Sequence, residues 1–176
     1  MGEICYIGLG SNLGNRALFL KRAQDQLEAL SKTALTRVSP VYETQPEGPV
    51  SQPWFLNEVV ALRTLLEPEE LLFHCLRIEN QEGRVRHQTW GPRTLDLDIL
   101  MFGNRIVEQE RLQIPHPRLA ERRFVLTPLA EIAPSTVHPI LKKTIKTLLN
   151  DLKGTPQMLP YSVSPFCPSG VPGEIP

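Results

Sequence analysis

Residues 4–9 are β-rich and run into Gly8-Leu9-Gly10-Ser11-Asn12-Leu13-Gly14, after which Ala17, Leu20, Ala23, Leu27 and Leu30 recur at spacings of three and four. That pattern predicts a strand, a tight glycine turn and an amphipathic helix, with Ser11 or Asn12 as the helix cap. A second strand is expected over 35–42, followed by a loop carrying Pro46, Gly48, Pro49 and Pro53. A third strand over 55–64 leads to Pro68, well placed as a first helical residue. Leu71, Leu72, Cys75, Ile78 and Glu79 then follow at helical spacing, and Gly83 ends that helix. Residues 84–93 form an arginine-rich loop, and 94–102 make a fourth strand. The order β-α-β-β-α-β is that of the split βαβ, or ferredoxin-like, α+β fold. It implies an antiparallel four-stranded sheet with both helices on one face and the other face free for a site.

Beyond Phe102 the pattern weakens. Gly103-Asn104 reads as a turn, 119–131 as helix-like and 140–152 as a short helix. From Gly154 onward six of 23 residues are proline, which excludes a regular helix or a central strand and predicts an extended or loosely attached tail. One domain over 1–153 with a tail over 154–176 is therefore expected, with no internal repeat.

The chain has 176 residues with 19 Lys+Arg against 19 Asp+Glu, and no apolar run exceeds four residues. A membrane span needs about 20, and bulk nucleic-acid binding needs a basic excess, so neither partner is expected. Cys5, Cys75 and Cys167 lack the paired spacing of a zinc or redox motif. With no secretory pattern at the N-terminus, a cytoplasmic protein is expected.

The zero net charge conceals a segregation. Nine of 13 arginines fall within 77–123, and no lysine occurs between Lys32 and Lys142. Guanidinium grips phosphate oxygens bidentately, which lysine cannot do. In Thr94-Leu95-Asp96-Leu97-Asp98-Ile99 the alternation of a strand puts Asp96 and Asp98 on one surface, with Cα atoms about 6 to 7 Å apart. Aspartate is depleted in strands, and two parallel carboxylates repel unless a cation lies between them. Magnesium, which takes one or two carboxylates with phosphate and water, is the natural candidate. Arg84, Arg86 and Arg93 lie just upstream, so a magnesium-bridged nucleotide triphosphate would satisfy both sets of charges. All nine arginines are then expected to face the aspartate pair. The simpler alternative is a structural network of Arg–Asp ion pairs. Trp90 reads as a lid residue or a core tryptophan. Phe55 and Asn57 read either as a stacking ring and a reading amide for a flat heterocycle or as core and cap. His116, held between prolines, has a fixed hydrogen-bonding or a structural role.

Taken together, Gly10-Ser11-Asn12-Leu13-Gly14, Tyr42-Glu43-Thr44, Phe55-Leu56-Asn57, Gly83-Arg84-x-Arg86, Trp90-Gly91-Pro92-Arg93-Thr94-Leu95-Asp96-Leu97-Asp98 and Pro115-His116-Pro117-Arg118 resemble the 6-hydroxymethyl-7,8-dihydropterin pyrophosphokinase family of folate biosynthesis. The resemblance covers about residues 3 to 140. It implies transfer of diphosphate from ATP to the pterin hydroxymethyl group, giving AMP, with two magnesium ions; a monomer is expected. By the same resemblance Asp96 and Asp98 are metal ligands, and Arg84, Arg93 and Asp98 are catalytic. Thr44, Glu47, Phe55, Asn57, Trp90 and Phe124 would hold the pterin. Glu79, Arg86, Trp90, Arg93, Ile99, Arg111, Gln113, His116 and Arg122 would contact the nucleotide. The chain departs from the family pattern at Thr89 and Leu76, where members often carry basic or polar residues. Two rivals remain: a magnesium-dependent nucleotidyltransferase and an RNA-binding module on the same fold, the second disfavoured by two aspartates on the sheet.

Overall fold

The computed structural model describes residues 2–47, 51–84, 91–154 and 158–162. Gly48, Arg86, Thr89, Trp90 and Cys167 lie outside them, and so does the expected tryptophan lid. In chain order the elements are β1 (Glu3–Ser11), α1 (Arg16–Glu28), β2 (Thr33–Val38), β3 (Tyr42–Thr44), β4 (Phe55–Thr64), α2 (Pro68–Gln81) and β5 (Asp96–Phe102). The short strands β6 (Val107–Glu108) and β7 (Gln113–Ile114) follow, then a 3-10 turn (Leu119–Glu121), α3 (Arg123–Ile132), α4 (Ile145–Asp151) and β8 (Met158–Pro160). The main sheet is antiparallel and runs β5-β1-β4-β3-β8, with β2 also paired to β4; β6 and β7 form a separate ribbon.

Several local readings are met by the structure for the physical reasons given. Pro68 opens α2, where Glu67 and Glu70 cap each other reciprocally, and Gly83 after its end takes φ +75, a conformation that favours glycine. Others are corrected. The strand expected over 35–42 is two strands, because Ser39-Pro40 interrupts it: Pro40 has no N–H for a ladder. The cap of α1 is Asn15, whose side chain accepts the Leu18 N–H, and neither Ser11 nor Asn12. The last helix starts at Ile145 instead of 140, with Thr144 as its cap. The stretch 119–131 divides into a 3-10 turn and α3.

The sheet has helices on both faces. Inward residues of β1, β4 and β5, among them Ile7, Leu9, Leu56, Val60, Leu97 and Phe102, pack with Leu20, Leu27, Leu71 and Ile78 of α1 and α2. The opposite face, expected to be free, is covered along half its length. There Val59, Ala61, Leu100 and Met101 pack with Val125, Leu126, Leu129 and Ile132 of α3 and with Ile145 and Leu148 of α4. β4 is consequently buried on both sides and reads as a nearly continuous buried run. The site lies where the cover of α3 ends.

One buried group in the helical layer has a measurable consequence. Glu58 is 1% exposed; Gln24 of α1 donates to its Oε1 at 2.8 Å, while its Oε2 has no hydrogen-bond partner. Burial pushes its carboxyl from 4.5 up to about 7, against the lowering effect of the Gln24 hydrogen bond and of Lys21. The folded chain therefore holds this proton after the unfolded chain has lost it, so the contribution is most favourable below about pH 4.5 and is lost as pH rises through about 7. Thermal melts between pH 5 and 8.5 should find Glu58→Gln more stable than the parent at pH 8, by about 3 kcal/mol at most, with the gap closing toward pH 5. A constant gap would place the carboxyl in contact with water.

Candidate active site

The uncovered half of the outer face is an open cleft, about 700 Å³ with its mouth included. Its floor comes from β1. Here β1 continues through Ser11, so Gly8 and Gly10 are strand residues and not a turn; of the three glycines in this motif Gly14 alone takes a positive φ, +63. Side chains of a strand alternate, so Gly8 and Gly10 follow Tyr6 on the outer face, while Ile7, Leu9 and Ser11 point into the core. A Cβ on Gly10 would stand 2.9 Å from Asn57 Oδ1, and one on Gly8 would stand 3.5 Å from Leu100. Two missing side chains thus make room over the sheet.

Asp96 and Asp98 open β5 next to this floor, opposite Gly10 and Gly8 in the ladder, and Leu97 and Ile99 alternate into the core as expected. Asp96 is gripped by Arg84, and Arg93 Nε lies 2.9 Å from its other oxygen. Arg84 also binds Glu79, whose Oε1 accepts the Leu97 N–H at 2.8 Å. Glu79, 2% exposed, is therefore a buried strut that aims Arg84 and fixes the start of β5. Asp98 faces Arg122 at 3.8 Å and keeps 41% of its side chain exposed toward the cleft. Its recessed position and the neighbouring Asp96 both push its carboxyl up from the ordinary value. Among the described residues no three His, Cys, Asp or Glu side chains form a closed metal cage. An open pair of carboxylates at the mouth of a cleft suits magnesium, which takes its remaining ligands from phosphate and water.

The other wall is aromatic and amide. Phe55, Asn57, Thr44, Glu47 and Phe124 line the cleft with Arg93 and Arg122. Asn57 donates to the Thr44 hydroxyl at 2.6 Å, which fixes the orientation of its carboxamide. The Arg93 guanidinium lies 5.1 Å from the Phe55 ring centre and that of Arg122 5.6 Å from Phe124, both within cation–π range. Glu47 takes Arg118 at 3.2 Å and approaches Arg122 at 3.9 Å. His116 accepts the Arg118 N–H at Nδ1, and burial together with Arg122 pushes it down to about 4, so its imidazole is neutral at pH 7.

The matching family model, 7,8-dihydro-6-hydroxymethylpterin-pyrophosphokinase (HPPK), spans residues 6–134. The chain belongs to the HPPK family. It is 50% identical over 132 residues to a 2-amino-4-hydroxy-6-hydroxymethyldihydropteridine pyrophosphokinase of Bacillus subtilis, covering 75% of this chain and 79% of that one. The Pseudomonas aeruginosa protein of the same name is 49% identical over 134 residues, 76% of this chain and 83% of its own. Among solved structures, a wild-type Plasmodium falciparum HPPK-DHPS with pteroate superposes with a TM-score of 0.69 at 17% identity, covering 85% of this chain and 44% of that chain. This chain therefore spans less than half the length of that structure, and the likeness is one of fold.

Within this HPPK chain the structure gathers Asp96, Asp98, Arg93, Arg122, Thr44, Glu47, Phe55, Asn57 and Phe124 around one cleft. Arg84 and Glu79 stand behind it. Ile99 is 5% exposed and packs in the core. Arg111 and Gln113 are exposed at the β6–β7 ribbon and do not line the cleft. Arg86 and Trp90 lie outside the described residues. The nine arginines do not converge: Arg105 pairs with Glu3 and Glu67, Arg123 donates to the Leu152 carbonyl, and Arg77 is exposed. Two contributors escaped the sequence reading. Arg16 lies 2.7 Å from Glu43 and donates to the Trp54 carbonyl. Asn12, 2% exposed, accepts the Arg93 N–H and donates to Gln52 and the Pro53 carbonyl, which ties the segments before β4 and β5 to the end of β1. For Asn12 the available signal was an amide residue two positions after Gly8-x-Gly10.

Proposed function

We infer that this HPPK chain transfers diphosphate from ATP to the hydroxymethyl group of 6-hydroxymethyl-7,8-dihydropterin, yielding AMP and the pterin diphosphate, a step of folate biosynthesis. The observation that carries the reading is the meeting, over one side-chain-free floor, of a carboxylate pair with a ring-and-amide wall. The flat pterin lies between Phe55 and Phe124, displacing the guanidiniums now over them, and Asn57 and Thr44 read its edge. Magnesium held by Asp96 and Asp98, two ions with ATP, supplies neutralisation of the phosphate oxygens. Arg84 and Arg93 hold the diphosphate being transferred, and Arg122 and His116 the rest of the nucleotide, together with Arg86, Trp90, Arg111 and Gln113; Glu79 and Ile99 serve from beneath.

The hydroxymethyl oxygen attacks the β-phosphorus in line. The new O–P bond forms as the bond to the α–β bridging oxygen breaks, AMP leaves with that electron pair, and the proton passes to Asp98 or water. Alignment and charge neutralisation carry this reaction, so no nucleophilic side chain is needed. The sheet order β5-β1-β4 with β2 and β3 beyond supports a ferredoxin-like description of a single domain over 1–153. Two buried free thiols, Cys5 and Cys75, fit a reducing cytoplasm, and the reading is of a monomer.

With ATP, magnesium and the pterin, phosphorus NMR should record AMP in step with pterin diphosphate. Release of pyrophosphate would identify a nucleotidyltransferase instead.

A further inference from the structure

β3 is three residues long, lies between Ser39-Pro40 and Pro46, and carries Thr44, the hydroxyl that orients Asn57. Its partner on the β4 side gives it only three ladder positions, Tyr42 to Asn57, Glu43 to Leu56 and Thr44 to Phe55. Alone, so short an edge frays readily. β8 covers its open side in register: Tyr42 faces Pro160, Glu43 faces Leu159, and Thr44 faces Met158. The Tyr161 N–H donates to the Val41 carbonyl at 2.9 Å. In an antiparallel ladder bonded positions alternate, so the next bonded pair is Glu43 with Leu159. Pro160 then falls opposite Tyr42, where its missing N–H leaves no partner unsatisfied. The half-buried Tyr161 ring packs against the main core beside Val41 and anchors the end of the strand. β8 and Tyr161 lie past residue 134, where the family match ends.

We propose that the C-terminal strand β8, through its main-chain ladder to β3, is a positioning element of the pterin subsite, holding Thr44 and hence Asn57 in the geometry that reads the heterocycle. The proposal rests on the pterin assignment made above. The side chains of β8 do not touch substrate; the strand acts through Glu43 and Thr44. The nucleotide-side groups sit on β5 and the segment at 115–122, across the cleft from β3; their link to the β3 side is through the Glu47 ion pairs with Arg118 and Arg122, three residues past Thr44, and not through the β3–β8 ladder.

The test uses two variants of the full chain and one truncation. Leu159→Pro removes the N–H bonded to Glu43 at a side chain that is 56% exposed, so no core packing is lost, and Leu159→Ala keeps that N–H as the control. The truncation ends after Gly154. Leu159→Pro and the truncation should raise KM for the pterin about tenfold, with KM for ATP, kcat and affinity for α,β-methylene-ATP within twofold; Leu159→Ala should match the parent. Hydrogen exchange of the Glu43 amide should quicken at least tenfold in both, and in the parent the pterin should slow exchange at Tyr161, since coupling between sites is reciprocal. An unchanged pterin KM in Leu159→Pro and in the truncation overturns the proposal. So does an equal loss in kcat and in both KM values with a lowered Tm, which would mark general destabilisation. The exchange readout needs no turnover: a parent that forms no AMP sinks the activity itself, whereas an unaltered Glu43 amide sinks the positioning role.

Discussion

Asp98→Ala should lower turnover about a thousandfold or more, the scale expected when metal-centred charge neutralisation is withdrawn from a transition state, while the melting temperature stays level or rises. Asp98 lies beside a second carboxylate and, among the described residues, its ion pair is with Arg122 at 3.8 Å. Its removal relieves repulsion and breaks no short ion pair among the described residues. Asp96→Ala should be equally inactive but should not be equally stable. Asp96 is the shared acceptor of Arg84 and Arg93, so without it the Arg93 guanidinium loses this counter-charge and Arg84, 14% exposed, is left with Glu79. A loss of about 1 to 3 kcal/mol is expected, the range for leaving a partly buried polar group unpaired. Steady-state rates across a magnesium titration, paired with melts, decide both. Near-normal turnover by either variant at ordinary magnesium would remove the metal assignment.

Gly10→Ala should raise KM for the pterin about a hundredfold with KM for ATP nearly unchanged. An added Cβ would come within 2.9 Å of Asn57 Oδ1, a separation that real methyl groups do not show, so the carboxamide must turn. It cannot turn freely, because its Nδ2 is bound to Thr44 at 2.6 Å. A site that reads a substrate by hydrogen bonds loses several orders of magnitude when those bonds are misaligned. Gly8→Ala is the milder companion, since its Cβ meets Leu100 at an ordinary 3.5 Å and only raises the floor. Equal KM values in the parent and the Gly10 variant would mean that the heterocycle does not rest above β1.

The carboxylate pair was legible in the chain because its signal is local: alternation in one strand puts Asp96 and Asp98 together whatever packs elsewhere. The same holds for Pro68 and Gly83 at the ends of α2. Gly8 and Gly10 were misjudged because Gly-x-Gly satisfies a turn as well as a strand. What decides between them is a residue 47 positions away, Asn57, which needs the space. The arginines were misjudged for a related reason. Clustering along the chain is not clustering in space: Arg105 finds Glu3 and Glu67, and Arg118 finds Glu47, across sequence separations that no local pattern encodes. The covered outer face follows from α3, whose apolar stripe at Val125, Leu126, Leu129 and Ile132 announces a helix without saying which surface it will bury.

The floor of the cleft is main chain. A compound resting on Gly8 and Gly10 touches peptide groups whose chemistry is the same whatever residue is encoded there. Substitution at either position can only add atoms, and added atoms obstruct the natural substrate along with the intruder. With the pterin placed as proposed, resistance to such a compound has to arise at the walls, at Phe55, Thr44 or Phe124, where a change can alter shape without filling the space over the floor.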